Sequence, residues 1–150
     1  MKKICYTFFQ RIPMLEPAIS TFLTQHHLLT LATCKENIPY CASCFYAFIK
    51  ESATFVIATD AKTRHGHEAR ANSNVAGTVA LETKIVGKIQ GVQFTGAYKE
   101  ASESERKAYL KCFPYAIAMN PVMWSITITY LKFTDNTLGF GKKLEYFASN

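Results

Sequence analysis

The chain has 150 residues, 49% of them hydrophobic and 19% charged, which excludes a disordered polypeptide and is enough to bury a core without disulfides or metals. Seventeen Lys and Arg against eleven Asp and Glu give a formal charge of +6, yet outside Lys2-Lys3 and Lys142-Lys143 the basic residues are scattered. That pattern fits an anionic ligand or simple solubility and lacks the stripe of a nucleic-acid reader, and no apolar run approaches membrane-spanning length.

The first nine residues, Met1-Lys-Lys-Ile-Cys-Tyr-Thr-Phe-Phe9, have the charged start of a signal peptide. Gln10-Arg11 cuts the apolar stretch short, and no small-residue cleavage site follows. The expected compartment is therefore the cytoplasm, where five cysteines are expected as free thiols. A first helix is predicted from Pro17 to His27, with Ala18, Phe22 and Leu23 on its apolar side. Leu28 to Cys34 reads as a strand, Lys35 to Asn37 as a turn, and Pro39 to Phe48 as the hairpin partner. Along that partner Tyr40, Ala42, Cys44, Tyr46 and Phe48 share one face, and Cys41, Ser43, Phe45 and Ala47 the other. Cys41 and Cys44 thus point apart, which argues for buried thiols over a redox couple.

Phe55 to Ala58 reads as a buried strand that changes abruptly at Thr59-Asp60. A helix is expected from Lys62 to Ala71, with Asp60 as its N-cap. A helix N-terminus carries partial positive charge and normally favours acids, yet this first turn holds Lys62, Thr63, Arg64 and His65. Hydroxyls and cations gathered where a strand becomes a helix have the composition of a phosphate site. The competing reading is a solvated basic turn. His65-x-His67 does not share a helical face, so the spacing suits no metal.

Val75 to Leu81 and a long segment from Lys88 to Lys99 are the next strands. Gly91 and Gly96 interrupt the second, marking a bulge, a bend or a close approach. Ser102-Glu-Ser-Glu105 is a capping box for a helix over Glu103–Cys112, which Pro114 stops. Pro121 to Phe133 is a long strand pair or a bent strand, Asp135 to Gly141 a glycine-punctuated loop, and Lys143 to Phe147 a short strand. Six or seven strands in hairpin-like succession with helices inserted at three places predict a small closed or partly split antiparallel barrel, a single domain over 1–150 with 1–16 as an N-terminal extension. No Ser-His-Asp order or paired carboxylates support hydrolysis.

The order helix, hairpin, strand, Thr59-x-x-x-Thr63-Arg-His65 helix, strand, long strand resembles the FMN-binding split-barrel superfamily, whose best-known member is pyridoxamine 5′-phosphate oxidase. More closely, the chain resembles a bacterial subgroup of unassigned function, the YhbP-like proteins. The segments Lys62-Thr-Arg-His65, Val75-Ala-Gly-Thr-Val79, Gly91-Val-Gln-Phe94 and Lys132 to Lys143 recur there. The resemblance spans about residues 17 to 147. It implies a mainly β (α+β), six- to seven-stranded Greek-key split barrel with peripheral helices.

By position, the resemblance puts the FMN phosphate on Thr59 (beside Ala58), Thr63 and Arg64, with His65 at the second basic position and Lys62 supplying further charge. It implies that the backbone of Ser43, Cys44, Phe45 and Tyr46 lies along the flavin ring, with Gln93 contacting the flavin from the long strand. Lys142 lies in the loop that corresponds to the oxidase's active-site segment. The resemblance further implies a homodimer with two cofactor sites across its interface. Two departures stand out: the oxidases' Arg-and-His grip on substrate phosphate is absent from Thr137 to Lys143, and Thr134 replaces their Trp over the flavin. The expected function is thus a flavin-dependent oxidoreductase or reductase acting on something other than pyridoxamine phosphate, with no catalytic residue assigned. The alternative is a flavin- or haem-binding carrier without turnover.

Overall fold

A computed structural model describes residues 14–149; Cys5, the signal-like start and most of the expected N-terminal extension lie outside them. Helix α1 covers Pro17–Gln25 and buries Ile19, Phe22 and Leu23, the i, i+3, i+4 stripe, so Ile19 and not Ala18 leads the apolar side. The helix stops two residues before the expected His27. His26 is already extended and caps it, its backbone N–H and its ring Nδ1 both on the Phe22 carbonyl, at 3.2 and 2.8 Å.

Strands β1 (Leu28–Lys35) and β2 (Ile38–Ile49) form a hairpin whose two-residue turn, Glu36-Asn37, has positive φ at both positions (53° and 62°). This is the I′ geometry that matches strand twist, and it lets both strands run longer than the sequence predicts. Next come β3 (Thr54–Ala58), α2 (Arg64–Ala71), β4 (Asn74–Ala80) and β5 (Gln90–Glu100). The chain ends with α3 (Glu103–Cys112), β6 (Met123–Asp135) and β7 (Lys143–Phe147). The sheet runs β3-β2-β1-β4-β5-β6-β7, and a β3–β6 pairing closes six of these strands into an antiparallel barrel with β7 appended to β6. With the helices on its periphery, this is the expected split barrel of mainly β class.

Leu29, Leu31, Tyr46, Phe55, Ile57, Phe94, Ile126 and Leu131 fill the interior. A second, smaller core lies outside the barrel, where Tyr109 and Phe113 of α3 and its end cover Ala47, Val56 and Met123. β3 is therefore buried on both faces, which explains its unbroken apolar run. Of the two strand glycines, Gly96 sits at the register shift, and an added Cβ there would lie 2.7 Å from Ile126 Cγ2 and 2.8 Å from the Thr127 carbonyl. Gly91 instead stays in register between Ala80 and Thr134. The capping box forms as predicted: Ser102 Oγ accepts from the Glu105 N–H, and Glu105 accepts from the Ser102 N–H at 2.7 Å.

Candidate functional site at the junction of β3 and α2

β3 is short. It pairs with only the last four residues of β2, so among the described residues 38–45 of β2 have a strand neighbour on one edge alone, β1. The chain leaving β3 turns beside this open edge and enters α2. Asp60 is not the N-cap. Its carboxylate instead accepts from the Lys62 N–H at 2.8 Å, closing a turn before the helix. Thr63 is the cap: its hydroxyl donates to the Asp60 carbonyl at 2.7 Å and accepts from the Gly66 N–H at 3.2 Å. The helix consequently starts at Arg64, leaving Lys62 outside it. A glycine at 66 permits this tight cap, because a Cβ would meet the Asp60 carbonyl at 2.8 Å and the Thr63 hydroxyl at 2.9 Å.

The cap gathers three side chains. His65 Nε2 lies 2.6 Å from Thr59 Oγ1 and 3.3 Å from Thr63 Oγ1, and the two hydroxyls are themselves 3.3 Å apart. Thr59 is held from behind, its N–H on the Val122 carbonyl and its own carbonyl on the Trp124 indole N–H at 3.3 Å. Trp124 stacks on Tyr98 in the core at 5.0 Å, which ties the hydroxyl's position to the barrel. Burial lowers the His65 pKa from its ordinary value, against a smaller opposing pull from the Glu68 carboxylate. The imidazole is thus neutral near pH 7, a hydrogen-bond partner to the threonines and not a fixed cation.

Arg64 is not the unpaired cation that the sequence suggested. Its Nε donates to Glu68 at 2.8 Å, and its guanidinium lies over the Tyr40 ring, 4.3 Å from the centroid. Glu68 is buried (6% exposed), and its other oxygen accepts from the Thr33 hydroxyl at 2.7 Å. The hydrogen bond from Arg64, then that from Thr33, holds its carboxyl below the usual range. The Arg64–Glu68 spacing of i, i+4 was legible in the chain. The partner on β1, thirty-five positions earlier, and the aromatic face on β2 were not.

The other expected site residues are spread more widely. Ala58 is the half-buried last residue of β3, paired with Met123, and Lys62 is exposed at the turn. Ser43 and Phe45 face outward, whereas Cys44 and Tyr46 face the core. Tyr46 donates its hydroxyl to the Leu23 carbonyl, and burial pushes the Cys44 thiol up to about 11. Cys44 thus offers a ligand only its main chain, and Tyr46 is engaged on both sides, in register with Ile57 of β3 and with its N–H on the His27 carbonyl. Gln93 lies on the outer face in one transverse row with Ser43, through Thr30 and Thr78, three strand spacings or about 14 Å away.

Lys142 precedes the Lys143–Thr134 pair, and Thr134 is eleven residues along β6 from Met123 at the junction, roughly 35 Å of strand. A single chain therefore brings Thr59, Thr63 and His65 together, with Arg64 next in the helix but turned to Glu68 and Tyr40, and leaves Gln93 and Lys142 apart from them. Around Lys142 the Val86–Lys88 and Asn136–Leu138 turns are tied by Asn136, whose amide donates to the Val86 carbonyl at 2.8 Å. Ile85, Val86, Leu138 and Phe140 are exposed on this tip, with Lys84, Lys88, Lys142 and Lys143 beside them.

Among the described residues no helix is long and apolar enough to cross a membrane. The closed barrel with its appended strand, and the hydroxyl-lined bend at one end, define a split barrel of the pyridoxamine 5′-phosphate oxidase type. The chain belongs to the pyridoxamine 5′-phosphate oxidase family, whose model matches residues 15–133. Within it the chain falls in the YhbP-like subgroup: it is 44% identical over 137 residues to the UPF0306 protein YhbP of Salmonella arizonae, covering 89% of this chain and 93% of that protein. Among solved structures, a heme binding protein from Mycobacterium smegmatis superposes with a TM-score of 0.71 at 14% identity, over 89% of this chain and 59% of the other. An FAD-binding protein from Mesorhizobium loti superposes at 0.65 and 19% identity, over 78% of this chain and 92% of that one. At these identities the shared feature is the fold.

Proposed function

We propose that this chain binds FMN non-covalently at the β3–α2 junction, as a cytoplasmic homodimer of single-domain subunits, and works as a flavin-dependent oxidoreductase or reductase. The observation that carries the reading is the Thr59–Thr63–His65 cluster, set on a helix N-terminus beside the open edge of β2. The residues fit the cofactor's two ends. Two hydroxyls, the first N–H groups of α2 and the Arg64 guanidinium are donors suited to a phosphate, and Lys62 adds exposed charge. The main chain of Ser43 to Phe45, on the stretch of β2 with no strand on its outer edge, offers polar groups suited to the edge of a planar ring. When bound, FMN supplies the hydride or electron transfer. The chain's part is to grip the phosphate, orient the ring and limit access. No side chain is assigned as acid or base, and the absent Arg-and-His grip argues against pyridoxamine phosphate as substrate.

Gln93 and Lys142 join this site only from a second copy. The exposed apolar tip around Lys142 supports such a copy, since contiguous uncovered Ile, Val, Leu and Phe side chains favour burial against a partner. Cofactor extraction from natively purified protein, read by mass and absorbance, tests the reading, with FMN expected. A Soret band, or protein that neither carries nor takes up FMN, overturns it. NADH or NADPH oxidation with an added acceptor then separates an enzyme from a carrier.

A further inference from the structure

Glu68 is an anomaly for a helix surface. A carboxylate this buried is unfavourable unless it is paired, and an exposed i, i+4 ion pair contributes little by itself. Glu68 gains its second partner from the barrel wall: Thr33, itself 2% exposed, donates to one carboxylate oxygen while Arg64 Nε occupies the other. The guanidinium has one further contact, the Tyr40 ring that it lies over, and with its Nε engaged the donors left are the two terminal nitrogens, on a side chain still 53% exposed. Two terminal N–H donors on a guanidinium held at Nε and over an aromatic face suit bidentate recognition of a phosphate.

We infer that Glu68, with Thr33 and Tyr40, is a positioning residue that aims Arg64 at the ligand's phosphate and so sets selectivity for a phosphorylated flavin over its dephosphorylated counterpart. This rests on the FMN reading above. Glu68 touches no ligand atom. It acts by holding Arg64 in one rotamer, so that little side-chain freedom is lost on binding. Removing its charge leaves Arg64 present but unaimed, which affects only the part of the affinity that comes from phosphate.

Fluorescence titrations of FMN and riboflavin on wild type, Glu68→Gln and Thr33→Val test this, with thermal melts establishing that each variant is folded. Wild type is expected to prefer FMN strongly. Glu68→Gln should lose about tenfold in FMN affinity, and Thr33→Val a few-fold, with riboflavin affinity unchanged in both. Equal loss for both flavins, or full FMN preference in folded Glu68→Gln, overturns the positioning role while leaving the phosphate site standing. Should Glu68→Gln fail to fold, Thr33→Val decides by the same criterion. A wild-type protein that binds FMN no better than riboflavin overturns the phosphate site itself, and the positioning role with it.

Discussion

The two ends of the barrel are built on opposite principles. At the β3–α2 junction the side chains satisfy one another: Thr59, Thr63 and His65 in one cluster, Arg64, Glu68, Thr33 and Tyr40 in the next. At the far tip, the main chain of the two turns is tied, but Ile85, Val86, Leu138 and Phe140 project uncovered among lysines. The first end is organised by its own side chains; the second leaves its apolar side chains exposed. The roughly 35 Å of β6 between them means that one chain cannot fold its own tip over its own junction. The contrast supports a site shared by two copies, the junction from one meeting the tip of the other.

The largest expected effect comes from disabling the organised end. Thr63→Ala combined with Arg64→Ala should lower FMN affinity by about 100-fold or more in a flavin titration. Stability should fall by about 1 kcal/mol for the lost helix cap and about 1–3 kcal/mol for the buried Glu68 carboxylate left without Arg64, a loss that a melt measures. Wild-type flavin occupancy in this double variant would remove the junction from the proposal. At the other end, Val86→Ser with Phe140→Ser should weaken self-association by about 100-fold or more in sedimentation equilibrium, given about 1.5–3 kcal/mol for each large apolar side chain buried. The monomer's melt should not change, because both side chains are exposed. A dimer of unchanged affinity would break the pairing of the two ends.

Gly66→Ala probes how tightly the junction is drawn. The new Cβ meets a backbone carbonyl at 2.8 Å, and a loss of about 1–3 kcal/mol is expected in denaturant titration, with weaker FMN binding. A neutral or stabilising result would mean the cap can relax.

The smallest effect is in acid. His65 has a folded pKa below its ordinary 6.5, so the unfolded chain takes up the proton first; its contribution is complete above pH 6.5 and is lost as pH falls through the folded value. Glu68 has a folded pKa below 4.5, so its contribution is complete above that pH and fades lower still. Stability measured against pH should therefore decline in two stages. Glu68→Gln should shrink the lower stage, to which Glu105 and Asp135 also contribute, and keep the upper, and a profile flat from pH 7 to 5 would show that His65 is not desolvated.

The sequence exposed the barrel more readily than the site. Hairpin alternation, the Lys35 to Asn37 turn and the Ser102 capping box are local signals, and α3 and β7 begin and end at their predicted residues. The sequence puts the start of α2 two residues early, at Lys62 with Asp60 as cap, although Thr63 is also a residue that caps well. The choice went to the one whose hydroxyl reaches an N–H that a glycine at 66 leaves accessible. The fate of Arg64 depended on contacts from β1 and β2 that no spacing along the chain encodes. The distance of Lys142 from Thr59 likewise follows from strand order, and only the closed sheet reveals it.

The bare flank of β2 has a consequence beyond ligand binding. The main-chain groups of residues 38–45 that face away from β1 form a template on which a foreign strand can dock, and Pro39, unable to donate a ladder bond, blunts only one position of it. A subunit with this flank uncovered could therefore stack edge to edge into aggregates while still natively folded, and any ligand or partner chain that covered the flank would also guard against self-polymerisation.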